Sequence, residues 1–134
     1  MMQEYKLRPI KFLWQLLNRT ISEAKVYILG YRSYTALLTQ AGVDAPTAIV
    51  LENTLGNVTF TYQIPGQYQA VLLNSFPELK TYLYIQPATT PDEGSISMYY
   101  SDINSIQITT MTPPPYLEID EKLYNTTIEI RVYN

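Results

Sequence analysis

The sequence predicts an all-β fold: an antiparallel β-sandwich or barrel of about eight or nine short strands behind a short helical arm. Three observations lead there. Apolar residues alternate with polar ones through Val58–Ile64 and again through Thr127–Val132, the period of half-buried strands. Turn-forming clusters recur at short intervals, at Ala41-Gly42, Asp44-Ala45-Pro46, Leu55-Gly56-Asn57 and Pro91-Asp92-Glu93-Gly94. Helical spacing shows up in one place, the first twenty or so residues, which argues against a parallel α/β sheet.

That helical segment opens with Pro9, a residue suited to a first turn, and places Ile10, Leu13, Trp14 and Leu17 at i, i+3, i+4 and i+7. Phe12 and Leu16 widen the stripe, while Lys11, Gln15, Asn18 and Arg19 lie off it. Such a short helix is marginal alone in water, so it needs a surface to cover its apolar face. From Lys25 onward the period is 2. Strands are expected near 26–30, 34–39, 47–52, 80–86, 95–100 and 104–110, with a hairpin across 57–73. The hairpin turn is Ile64-Pro65-Gly66-Gln67, with proline and glycine at the central positions of a type II turn. The last strand carries Ile128, Ile130 and Val132 on one face against Thr127, Glu129 and Arg131 on the other. Its clean alternation suits pairing within the chain or with a neighbouring one. Between these strands, Pro113-Pro114-Pro115 reads as a stiff connector that carries the last strand across the domain.

At 134 residues the chain is one domain with an appendage, divided here into an arm, 1–33, and a β-domain, 34–134. Charge divides it in the same place. Residues 1–32 carry Lys6, Arg8, Lys11, Arg19, Lys25 and Arg32 against Glu4 and Glu23, a net of +4. The remainder carries Lys80, Lys122 and Arg131 against ten carboxylates, a net of −7. A basic, apolar arm on an acidic body suggests that the arm meets an acidic surface, which includes the body of a neighbouring copy. The arm residues expected to bind a partner are Lys6, Arg8, Ile10, Lys11, Phe12, Leu13, Trp14 and Leu17. Direct nucleic-acid binding is disfavoured, because the acidic body repels phosphates and the basic residues are diluted by the apolar stripe. Membrane attachment ranks low too: residues 12–17 are too short to span a bilayer and few cations flank them. No signal-peptide cleavage pattern follows that run.

Chemistry is sparsely equipped. The chain has no cysteine and no histidine, which removes thiolate ligands, a cysteine nucleophile and the commonest general base. Carboxylates gather at Asp92-Glu93 and at Glu118, Asp120 and Glu121, without the spacing of a calcium loop or a selected glycosidase pair. None of the five glycines sits in a phosphate-binding pattern. The expectation is a non-enzyme with no cofactor and no metal. Thirteen tyrosines against three phenylalanines are the more telling feature, since tyrosine pairs an apolar body with a polar tip. Tyr82 and Tyr84 share a strand face, Tyr99 and Tyr100 point to opposite faces, and these four are the candidate exposed aromatic surface.

The run Tyr34-Thr35-Ala36-Leu37-Leu38-Thr39-Gln40, with Ala45-Pro46-Thr47, Val50-Leu51-Glu52-Asn53-Thr54-Leu55-Gly56 and the ending Asn125–Tyr133, resembles a group of small β-rich proteins. That group occurs in phages and prophages of Bacteroidota, including crAss-like phages. The likeness covers about 34–133 and carries no catalytic residue. It implies a virion structural protein, made in the bacterial host cytoplasm and built into the phage particle. The implied roles are a capsid-decorating or auxiliary protein, or a subunit or anchor of a head or tail fibre. Its partners would be capsid or tail subunits, and the protein itself a homo-oligomer, with a trimer among the forms open to it. Two other readings stand beside it: a glycan-binding adhesion module and a peripheral membrane protein.

Overall fold

Alternation puts Tyr34, Ala36 and Leu38 near the start of the β-domain, and Ile128, Ile130 and Val132 at its end, on one side of their strands, and all six are buried. In a computed structural model, which describes residues 29–90 and 93–134, these two strands lie side by side at the centre of one sheet. The order of elements is β1 (Tyr31–Thr39), β2 (Thr47–Asn53), β3 (Thr59–Ile64), β4 (Gln67–Val71), β5 (Thr81–Ile85), β6 (Ser95–Asp102), β7 (Ser105–Met111) and β8 (Thr126–Tyr133). A 3-10 turn, Glu78–Lys80, precedes β5. Sheet A runs β2-β1-β8-β5 and sheet B runs β3-β4-β7-β6, every pairing antiparallel.

The fold is therefore all-β, and of the two architectures expected it is the sandwich. The inward faces supply Tyr34, Leu38, Ile128 and Ile130 from sheet A and Tyr68, Ala70, Ile106 and Ile108 from sheet B, closed at the ends by Phe76 and Leu123. Each large aliphatic side chain buried this way contributes roughly 1.5–3 kcal/mol before entropy is counted. The flanks differ. β5 lies beside β6 and closes one side, whereas no comparable contact joins β2 to β3 on the other.

Several expectations shift. The strand expected near 34–39 begins earlier, at Tyr31, because Tyr31–Ser33 pair with Arg131–Tyr133, while residues 26–28 of the strand expected near 26–30 lie outside the described residues. β1 thus starts ahead of the domain border at 33/34. The expected helix and the arm residues Lys6 to Leu17 lie outside the described residues. The last strand is no free edge: β8 pairs with β1 on one side and β5 on the other. The prolines belong to a compact turn rather than an extended rod. Tyr116 N–H donates to the Pro113 carbonyl at 3.1 Å, and Thr112 N–H donates to the Leu117 carbonyl at 2.8 Å. The chain then continues along residues 118–125 from sheet B to sheet A.

That crossover is fastened by one carboxylate. Asp120 accepts hydrogen bonds from Gly66 N–H at 2.8 Å, the Tyr68 hydroxyl at 2.7 Å and the Tyr62 hydroxyl at 2.9 Å. Gln40, buried at the end of β1, adds a second tie. Its Oε1 accepts from Glu121 N–H at 2.7 Å and lies 3.0 Å from the Tyr68 hydroxyl. Its Nε2 donates to the carbonyls of Gly42 and Asp44. Thr110 on β7 closes the ring by donating through Oγ1 to the Ile119 carbonyl at 2.6 Å. Gly66 has φ +73°, as a type II turn requires, and a Cβ there would stand 2.6 Å from both Ile119 N and Thr110 O.

Burial alone would raise the Asp120 pKa, but the hydrogen bonds from Gly66, Tyr68 and Tyr62 outweigh it and hold the group below its ordinary 3.8. Tyr68 and Tyr62 move the other way, pushed above their ordinary 10.0 by burial first and then by the hydrogen bond and negative charge of Asp120. A depressed carboxylate contributes stability that is present above its unfolded pKa and lost as pH falls through the folded value. A raised phenol contributes stability present below its unfolded pKa and lost as pH climbs beyond it. Stability should thus fall away below about pH 4 and above about pH 10, as thermal melts across a pH series would read. Asp120→Ala should abolish most of the acid-side loss and cost about 1–3 kcal/mol at pH 7 in urea unfolding. Gly66→Ala should cost more than about 1 kcal/mol in the same assay, through strain and the clash with backbone atoms.

Candidate functional site

The outer face of sheet A gathers Tyr31, Tyr82, Tyr84 and Tyr133. β1 and β8 run antiparallel with Tyr31 opposite Tyr133, and their rings lie 5.2 Å apart, tilted by 50°. One step along, Ser33, Arg131 and Tyr82 form a row across β1, β8 and β5. The Arg131 guanidinium sits 4.8 Å from the centre of the Tyr31 ring and 5.5 Å from that of Tyr82. The next row is Thr35, Glu129 and Tyr84. Arg131 and Glu129, two residues apart on one strand, share this face and form an ion pair. A hydrogen bond to Tyr133, and next the Glu129 carboxylate, raise the Arg131 pKa against the opposing effect of burial, so the cation is retained. The result is a strip in which tyrosine rings flank one cation and one anion.

Tyr82 and Tyr84 remain 47% and 45% exposed within it. The two-residue period of β5 continues to Gln86, whose N–H donates to the Thr127 carbonyl at 2.9 Å. Gln86 also lines a cavity of about 420 Å³. Glu93, Lys122, Tyr124 and Thr126 border the same cavity. Glu93 is fixed there by Thr89, whose hydroxyl and N–H donate to Oε2 at 2.6 and 3.1 Å. Those bonds, with a smaller effect of Lys122, hold its carboxyl below the ordinary range despite some burial.

The four tyrosines named from sequence do not form one surface. Tyr82 and Tyr84 lie on sheet A, Tyr99 is exposed on the outer face of sheet B, and Tyr100 points inward and packs on the core. The alternation of Tyr99 and Tyr100 holds as expected. Tyr31, Tyr133 and Arg131 were missed as members of the strip, because only the β1–β8 pairing brings them together. Comparison with protein-family models, curated proteins and solved structures finds no match.

The loop carboxylates are engaged by the fold. Asp120 holds the crossover, Glu121 Oε1 accepts from Gly42 N–H at 3.0 Å, and Glu118 accepts from Gln67 Nε2. Among the described residues no group of three or more Asp, Glu, His or Cys is arranged to hold a metal ion. Among them, too, no helix is long and apolar enough to cross a membrane. What the strip offers chemically is ring faces, edges and a fixed charge pair, a set suited to contact with another molecule.

Tyr82→Ala and Tyr84→Ala should cost no more than about 1 kcal/mol of unfolding free energy, as half-exposed cross-strand positions do. Phe76→Ala, at a fully buried position, should cost about 3–5 kcal/mol. Urea melts of the three variants check the contrast, which separates a surface kept for contact from one kept for stability.

Proposed function

We propose that this protein is a non-catalytic structural component of a phage virion. Its N-terminal arm docks the acidic β-sandwich on larger capsid or tail subunits. The observation that carries the reading is the separation of charge and apolar pattern along the chain: +4 with an amphipathic stripe in residues 1–32, −7 in residues 33–134. The resemblance of residues 34–133 to a phage-borne group supplies the setting. The arm contacts are Ile10, Phe12, Leu13, Trp14 and Leu17, with Lys6, Arg8 and Lys11 meeting an acidic surface. The tyrosine strip of sheet A then faces outward or meets a neighbouring subunit.

A second reading, glycan-binding adhesion, is favoured by the line from Tyr82 and Tyr84 through Gln86 into the 420 Å³ cavity. Exposed rings beside amide, hydroxyl and carboxylate groups suit the stacking and hydrogen bonding of a sugar chain. A glycan array probed with wild type and Tyr84→Ala tests it: binding that the variant loses supports it, and an empty array removes it.

The primary reading is tested by quantitative mass spectrometry of purified particles of the phage whose genome encodes the chain. The protein is expected in the particles. A copy number near that of the major capsid protein assigns a decorating role, and a much lower one a fibre, tail or vertex position. Absence from particles overturns the proposal. Limited proteolysis should cut the arm in isolated protein and spare it in the particle.

A further inference from the structure

The strands give the body two poles, and β1 runs from one to the other, a span of about 25–30 Å at the usual rise per residue. Its Tyr31 end lies beside Tyr133, and Asn134 N–H donates to the Gly30 carbonyl at 3.0 Å, so the arm joins the body at this pole. Its Thr39 end reaches the opposite pole, made by the loop 40–46, the Gly66 turn and the crossover 112–125. Gly66 N–H and Gly42 N–H donate to Asp120 and Glu121, which fastens those three segments into one surface. On it Val43, Leu117 and Tyr124 are 72%, 63% and 79% exposed. Acidic charge gathers there too. Among the described residues Asp44, Glu93, Glu118, Asp120 and Glu121 stand against Lys122, a net of −4. At the arm pole Glu78 and Asp102 are balanced by Lys80 and Arg32.

We infer that this distal pole receives the arm of a second copy, so that the chain assembles head to tail. Residues 1–28 carry five cations against two carboxylates, a net of +3, together with the apolar stripe Ile10, Leu13, Trp14 and Leu17. Both features match what the distal pole exposes, apolar side chains beside carboxylates. Where the arm joins the body decides which copy it reaches. To meet its own distal pole it must run back along the full length of the body, and between Pro9 and Gly30 it has neither proline nor glycine to turn on. A neighbour stacked end on end presents its distal pole where the arm begins. Donor and receptor are different surfaces, so the contact is heterologous and repeats into a row of copies instead of closing as a two-fold pair. The inference rests on the arm being a docking segment and adds a partner for it, this chain itself. The first copy of a row keeps its arm for the larger subunit.

Two full-length variants separate the halves of the contact. Leu13→Asp breaks the apolar stripe of the arm and leaves the distal pole intact, and Leu117→Lys, at an exposed position, does the reverse. Light scattering across a concentration series should show wild type growing past twice the chain mass. Each variant alone, with circular dichroism confirming the fold, should stay at the chain mass. An equal mixture of the two should form a complex of twice the chain mass, because one keeps its arm and the other its distal pole. The single tryptophan, Trp14, should shift its emission to shorter wavelength in that mixture as its ring leaves water. A wild type that is monomeric at every concentration overturns the inference and leaves the virion reading to the particle measurement. Assembly by either variant alone overturns it too, by assigning association to another surface. So does a mixture that stays at the chain mass.

Discussion

The carboxylate of Asp120 sits where the chain passes from sheet B to sheet A, and the arrangement of both sheets depends on how that passage is held. β8 must enter sheet A between β1 and β5, so the crossover ahead of it decides whether the centre of that sheet can form. Asp120 fixes the crossover against the turn between β3 and β4 and against the Tyr62 and Tyr68 hydroxyls. Gln40 fixes the same segment against the end of β1. Hydrogen bonds to a charged group, partly withdrawn from water and mutually polarising, are stronger than their exposed counterparts. Three donors on one anion also explain why a charge is tolerated at the margin of an apolar core.

Much of the fold was legible in the sequence because burial on one face leaves a period of two. β3, β4 and β8 declare themselves this way, and the Pro65-Gly66 turn joins the first two. β2 was legible as a strand but not as an exposed one. A run such as Ala48-Ile49-Val50-Leu51 looks like a buried strand, and only its place at the sheet edge leaves it in water. The role of Asp120 was hidden for a similar reason. Glu118, Asp120 and Glu121 look alike along the chain, and what separates them is the approach of Gly66 and two tyrosines from distant strands. The tyrosine strip was half visible: Tyr82 and Tyr84 share a strand, but Tyr31 and Tyr133 meet through pairing of the first strand with the last.

Stability and contact are assigned to different tyrosines. Tyr34 and Tyr68 are buried and belong to the core, where burial pushes both phenols above their ordinary value. Tyr82 and Tyr84 lie outside it on a sheet whose inner face already secures the fold. The outer surface of sheet A is therefore free to vary in what it meets, at little cost to folding. One residue type serves both purposes because its ring can be buried while its hydroxyl finds a partner, or exposed while its ring face remains available.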